Sequence, residues 1–343
     1  METAQRSGIV ARLLAFGVLA SCAGPGGPPG AASDASAPAA PVVVGAVQLP
    51  PLDPIPEPAP VPVADTSTGP FITCGGPAKQ GGAIVCKANP GATISLDGKP
   101  VAVADADGVA IIGLARDQQS PATVGVRPAP SPGATATGGE AYASLDVQPR
   151  HDTVSKFEME CKVIAPQSAA AKRHAELSWV KKDKAMHVFA APLAPLALMK
   201  PAAGPYSSEF GVTRTYVPKT GDCEGSTSVH NGQDIAIATG TEVRAPMAGT
   251  VLLADPDLFY EGGAVFLDLG RGLVSVTMHM SRIDVKAGDI VGQGQLLGLS
   301  GSTGRVTGPH LHWAIKFRNV LSEDRGTDIW LDPILMLELR VPN

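Results

Sequence analysis

The stretch TGPHLHWAIK, Thr307 to Lys316, sets two imidazoles one residue apart in a run that otherwise has the character of a strand. In an extended chain, residues i and i+2 point to the same face, with Cα atoms roughly 6.5–7 Å apart. His310 and His312 are therefore expected on one side of a strand. At that separation one ring meets a metal ion well, while the other stands beside an open coordination position. A lone His-x-His is a weak signal, because surface or structural roles explain most of them. Its meaning depends on what else the chain supplies.

Outward from this stretch, "VHNGQDIAIA" (Val229–Ala238) places His230 and Asp234 four residues apart, a spacing that shares a face in either a helix or a strand. Gly232 and the alternation of Ile235 and Ile237 favour the extended form. "SVTMHMSRI" (Ser275–Ile283) adds His279. Two histidines and one carboxylate around zinc leave the fourth position to water, as in hydrolytic zinc sites. Such a metal lowers the pKa of its water to about 7, and a neighbouring imidazole handles protons near neutrality.

The totals frame this constellation. In 343 residues there are 32 Pro and 39 Gly against 4% aromatics, which predicts short strands and many turns, with two domains plus connecting material. The net charge of -5, with no local basic cluster, argues against nucleic acid as a partner. Residues 1–21 have an export signal pattern: Arg6 and Arg12, an apolar core from Leu13 to Leu19, then small residues, too short to span a bilayer. Leu19-Ala20-Ser21-Cys22 looks like a bacterial lipobox, implying lipidation at Cys22 and a membrane anchor. Ala23 follows where a retention signal would carry Asp. By resemblance to other lipoproteins this places the chain on the outer membrane facing the periplasm, with a soluble periplasmic form as the alternative.

Residues 22–70 form an expected disordered tether. From 23 to 70 there are 13 prolines, four acidic residues and no Lys or Arg. Over 71–149, six alternating runs from "GAIVCKA" to "AYASLDV" predict a small antiparallel sandwich that resembles immunoglobulin-like domains. Asp97-Gly98 and Asp107-Gly108 are its expected hairpin turns. Residues 150–204 are expected as a helical connector, its helix over 167–187 with Ser168 as N-cap. His151, His174 and His187 are expected there as solvated side chains. The four cysteines besides Cys22 are even in number, which in an oxidising compartment predicts two disulfides. Cys74 and Cys86 flank one strand-turn-strand, but three pairings remain open.

From about 205 onward the chain resembles the lysostaphin/LytM-type zinc metallopeptidases, which hydrolyse peptide bonds in bacterial peptidoglycan. The resemblance is carried over about 205–318 by "SSEFGVTR", "HNGQDIAIATGTEVRAPMAGTV" and "MHMSRIDVKAGDIVGQGQLLGLSGSTGRVTGPHLHW". It implies a mainly β chain whose residues 205–343 form an antiparallel-sheet metallopeptidase domain. It also implies a Zn²⁺ held by His230, Asp234 and His312, with His310 and His279 as the catalytic or oxyanion-stabilising pair. Thr277, where many relatives have an aromatic residue, and Leu269-Gly270, where many have His-Gly, depart from the pattern at positions that are not ligands. The insert "YVPKTGDCEGSTSV" (Tyr216–Val229) is expected as a rim loop stapled through Cys223.

The expected activity is thus a zinc endopeptidase cutting peptidoglycan cross-links. The alternative is a catalytically inactive LytM-like factor that activates a cell-wall amidase, which leaves room for an amidase or divisome partner. Inactive relatives usually lack a ligand, whereas every position is filled here. A facial-triad iron oxygenase would use the same three residues, but no cosubstrate motif accompanies them.

Overall fold

The computed structural model describes residues 70–129, 139–221 and 223–342. The expected signal peptide, Cys22 and the tether up to residue 69 lie outside the described residues. The chain is mainly β, and among the described residues every strand pairing but one is antiparallel.

Seven strands come first: β1 (Ile72–Gly75), β2 (Ala83–Ala88), β3 (Thr93–Leu96), β4 (Lys99–Val103), β5 (Val109–Gly113), β6 (Ala122–Arg127) and β7 (Ala141–Leu145). Six are the expected ones, and β1 is additional. A three-stranded sheet in the order β1-β2-β5 and a four-stranded sheet in the order β4-β3-β6-β7 share one apolar core, in which Ile84 and Ile112 of one sheet meet Ile94 and Val124 of the other. Asp97 and Gly98, both at positive φ, make the β3–β4 hairpin turn. Asp107-Gly108 is not a hairpin, because β4 and β5 belong to different sheets. It is instead a crossing turn, in which Asp105 Oδ1 accepts from the backbone N–H groups of Asp107 and Val109. A side chain at Gly108 would strike the Ala88 carbonyl at 2.4 Å, so the crossing requires glycine. Cys74 and Cys86 face each other across β1 and β2 and are joined.

The stretch expected as a helical connector also carries β8 (Val154–Met159) and a single turn, α1 (Cys161–Ile164), before the main helix α2 (Ala169–Met186). Ser168 caps α2, its side chain accepting from Ala171 N. His174 is part-exposed, and its Nε2 also lies 2.7 Å from the Asp257 carbonyl while its ring meets Phe259 edge-on. His151 and His187 are exposed. Among the described residues no helix is long and apolar enough to cross a membrane.

The remaining strands are β9 (Tyr206–Ser208), β10 (Thr213–Pro218), β11 (Ser226–Val229), β12 (Gln233–Ile235), β13 (Glu242–Arg244), β14 (Gly249–Leu258), β15 (Gly262–Gly270), β16 (Leu273–Ile283), β17 (Ile290–Val291), β18 (Leu296–Ser300), β19 (Leu311–Phe317) and β20 (Ile329–Leu331), followed by the short helix α3 (Pro333–Met336). The large sheet runs β17-β14-β15-β16-β19-β12-β9, with β18 bridging β13 and β16. Trp313 at its centre is fully buried, and its indole N–H donates to Ser275 Oγ at 3.1 Å.

A separate three-stranded sheet, β11-β10-β8, contains a parallel pair, β8 with β10. The segment expected as a rim loop is therefore mostly a hairpin, β10–β11, and the Cys161–Cys223 bond ties its turn to α1. Phe157 stacks on Tyr216 at 5.9 Å between centroids, and Met159 and Ile164 complete a small apolar cluster under them.

Candidate metal centre

His312 and Asp234 are opposite each other in the β12–β19 register, so the pleat sends both side chains to one face. His230 follows β11 directly and is held from behind, its Nδ1–H donating to the Glu209 carbonyl at 2.6 Å. That commitment fixes the tautomer and leaves Nε2 as a bare lone pair. Between these positions Gly232 passes so close that an added Cβ would lie 2.5 Å from His312 Nε2 and 2.6 Å from the Trp313 carbonyl. Only glycine fits there, which gives the "HNGQD" spacing its physical reason.

The donor atoms converge. His230 Nε2, Asp234 Oδ1 and His312 Nδ1 form a triangle with sides of 3.0, 3.0 and 2.9 Å, and all three residues are buried. Ligands at 2.0–2.1 Å from a tetrahedral zinc stand about 3.3 Å apart, so the triangle needs to open by only a few tenths of an ångström. Its chemistry also fits. Three lone-pair donors aimed at one point repel unless a cation lies among them, and imidazole with carboxylate suits a zinc-like ion.

Arg214, on β10, donates through Nη2 to Asp234 Oδ2 at 2.5 Å and to Ser208 Oγ at 2.8 Å. One carboxylate oxygen is thus occupied and the other is aimed at the histidines. Burial pushes the Asp234 carboxyl up, but contacts with His230 and His312 outweigh it and hold the group well below the ordinary carboxylate range. Burial in turn pushes His312 down.

The other two histidines stand alongside. His279 occupies a bulge of β16, where Met278 and His279 together oppose one residue of β15, and its φ of 65° lies in the left-handed region. A non-glycine residue held there turns its side chain out of the sheet's regular alternation, a device frequent beside functional sites. His279 Nδ1 donates to the Thr303 carbonyl at 2.9 Å, and His310 Nδ1 to the Gly308 carbonyl at 2.8 Å. Both therefore present a bare Nε2. Their rings are 4.8 Å apart between centroids, and His310 Nε2 lies 3.7 Å from Asp234 Oδ1. Burial, with the nearby charges of His312 and His310, pushes His279 down to about 3.

A cavity of about 430 Å³ opens onto Asp234, His279 and His310, walled on one side by Phe157 and Tyr216 of the small sheet. A second of about 200 Å³ reaches His230, His279 and His312. All five histidine and aspartate positions named from the sequence therefore surround one point. Sequence reasoning missed Arg214. The available signal was its alternation with Tyr216 in "TRTYVP", which puts both on one face.

Residues 228–323 match the model of peptidase family M23. This matched segment contains His230, Asp234, His279, His310 and His312, while Arg214 and Tyr216 precede it. Peptidoglycan DD-endopeptidase ShyA of Vibrio cholerae is 43% identical over 89 residues, 26% of this chain and 20% of that protein. Lysostaphin of Staphylococcus simulans is 38% identical over 86 residues, 25% of this chain and 17% of that protein. The chain thus spans about a fifth of the length of these curated relatives. A Pseudomonas aeruginosa crystal structure assigned to peptidase M23 is 28% identical, covers 77% of this chain and 96% of that one, and superposes with a TM-score of 0.52. That coverage extends well beyond residues 228–323, so the shared fold takes in strands on the N-terminal side.

Proposed function

We propose that this chain is a zinc-dependent endopeptidase that hydrolyses peptide cross-links of bacterial peptidoglycan. The reading rests on one observation above the others: three buried lone-pair donors, His230 Nε2, Asp234 Oδ1 and His312 Nδ1, meet at about 3 Å with no cation of the protein's own between them. The M23 match and the similarity to peptidoglycan endopeptidases support the reaction class and the substrate.

Zinc, when bound, supplies Lewis acidity at the scissile carbonyl and an acidified water as nucleophile. The Glu209 carbonyl and Arg214 orient His230 and Asp234 so that their free lone pairs converge. His310 and His279, each with its Nδ1–H committed to a carbonyl, enter the reaction as acceptors at Nε2. A ring that has taken a proton becomes a donor, first toward the developing oxyanion and then toward the departing amine. The walls of the small sheet restrict water around these groups.

The export signal, lipidation at Cys22 and the tether complete the proposal: an enzyme anchored to the outer membrane and held away from it over the wall. The amidase-activating factor has less support, since no ligand or histidine position is empty. The test is digestion of purified sacculi by the zinc-loaded protein, with chelator and His310→Ala controls. Release of muropeptides that chelator abolishes, zinc restores and His310→Ala lacks supports the reading. Cleavage that appears only when an amidase is added favours the alternative.

A further inference from the structure

Arg305 sits on the boundary of both cavities, in the loop that leads to His310. Its backbone N–H donates to the Tyr260 carbonyl at 2.8 Å, and its guanidinium lies over the rings of Tyr260 and Tyr216, 4.7 and 5.0 Å from their centroids. Tyr216 lies on β10 of the small sheet and Tyr260 in the turn between β14 and β15 of the large one, so the side chain is held from both sides of the cleft. Aromatic faces fix a guanidinium in place without neutralising it.

Its charge is uncompensated. Among the described residues no carboxylate lies within ion-pairing distance of Arg305, and none of its side-chain N–H groups has a hydrogen-bond partner. The two carboxylates that share its cavities are already engaged, Asp234 with Arg214 and Glu261 with Lys182. A planar fork of donors, oriented, half-buried and unpaired beside the convergent histidines, matches a carboxylate bidentately.

Given the peptidase reading, on which this step rests, we infer that Arg305 is a specificity residue that binds a free carboxylate of the peptide substrate flanking the scissile bond. It contacts the substrate away from the reacting atoms, so it acts on binding and register more than on the bond-breaking step. Tyr216 and Tyr260 hold it in place, and the hairpin that carries Tyr216 thereby has a part in substrate choice.

The experiment compares two cross-linked peptide dimers prepared from peptidoglycan, one with its carboxylates free and one with them converted to carboxamides, using the full zinc-loaded chain. The wild type is expected to cleave the free-carboxylate dimer with a kcat/KM about tenfold or more above the amidated one. Arg305→Gln should erase that preference by raising KM for the free-carboxylate dimer, with kcat and the amidated dimer changed less than about twofold. Arg305→Lys, which keeps the charge but not the fork, should recover part of the loss. Equal losses on both dimers, or a wild type indifferent to amidation, would overturn the assignment while leaving the peptidase reading intact. A zinc-loaded wild type that cuts neither dimer nor sacculi would overturn the peptidase reading and this assignment together.

Discussion

Asp234 and His312 face each other across the β12–β19 pair, and Asp234 Oδ1 lies 2.9 Å from His312 Nδ1. Seventy-eight residues separate them along the chain, so their meeting is a product of strand register. A slip of one residue in that pairing would turn one of the two side chains to the opposite face and dismantle the centre. The site is thus only as well defined as the hydrogen-bond ladder beneath it.

Orientation of Asp234 by Arg214 separates metal binding from chemistry. Arg214→Ala should weaken zinc affinity by about 10- to 100-fold, the usual effect of removing a partner that orients a ligand. His310→Gln should instead keep a full zinc complement and lose about 10²- to 10⁴-fold in rate. Zinc titration with a competing chelator, alongside sacculus digestion, measures both. Loss of zinc in His310→Gln would move that residue into the ligand set.

Close approach at Gly232 sets a second expectation. A methyl group there meets His312 Nε2 at 2.5 Å and the Trp313 carbonyl at 2.6 Å, the first an atom of a side-chain ring and the second rigid backbone. Gly232→Ala should cost about 1–3 kcal/mol of stability as β19 shifts, and should reduce zinc binding as well. Urea unfolding with and without zinc tests this. A variant indistinguishable from wild type in both would show that the strand yields freely.

The buried His279 makes the metal-free protein acid-sensitive. Its folded-state pKa is pushed down to about 3, against about 6.5 in the unfolded chain. Between those values the unfolded state binds the extra proton, so stability is complete above about pH 6.5 and is lost as pH falls toward 3. Over pH 6.5 to 5 the loss should approach about 2 kcal/mol, and His279→Gln should remove that part of the slope. Urea midpoints in chelator report it, and parallel slopes for the two proteins would refute the assignment.

Arg318 and Asp268 form an ion pair with both side chains fully buried, 2.6 Å apart, and Arg318 also donates to the backbone carbonyls of Met186 and Val188 at the end of α2. Arg318→Met leaves the buried Asp268 carboxylate with only the backbone N–H groups of Ala190 and Gly270 as partners, and should cost about 3–5 kcal/mol. The double variant Arg318→Met, Asp268→Asn, which removes the unpaired charge and keeps an amide oxygen to accept from the backbone, should recover much of that. Thermal or urea unfolding of the three proteins decides it, and a single variant as unstable as the double would locate the cost in the lost contacts of Arg318 instead.

Much of this was legible in the sequence because it is short-range. Alternation of apolar residues marked six of the seven sandwich strands, and Ser168 marked the start of α2, since each depends on neighbours within a few residues. The histidines and Asp234 stood out only in combination: each two- or four-residue spacing is weak alone, but together they supply every residue type that one hydrolytic zinc mechanism needs. β8 did not stand out: its partner, β10, lies more than fifty residues on, and a parallel strand has no local turn to announce it.

By itself, then, the sequence determined the residue types, their local spacing and the strands that carry them. Only the tertiary structure decided that Arg214 would aim Asp234, that His279 would sit in a left-handed bulge, and that Tyr216 and Tyr260 would flank Arg305. Those relationships arise between strands whose pairing is chosen by burial of a common core, and no local pattern along the chain encodes which distant side chains that burial brings within 3–5 Å.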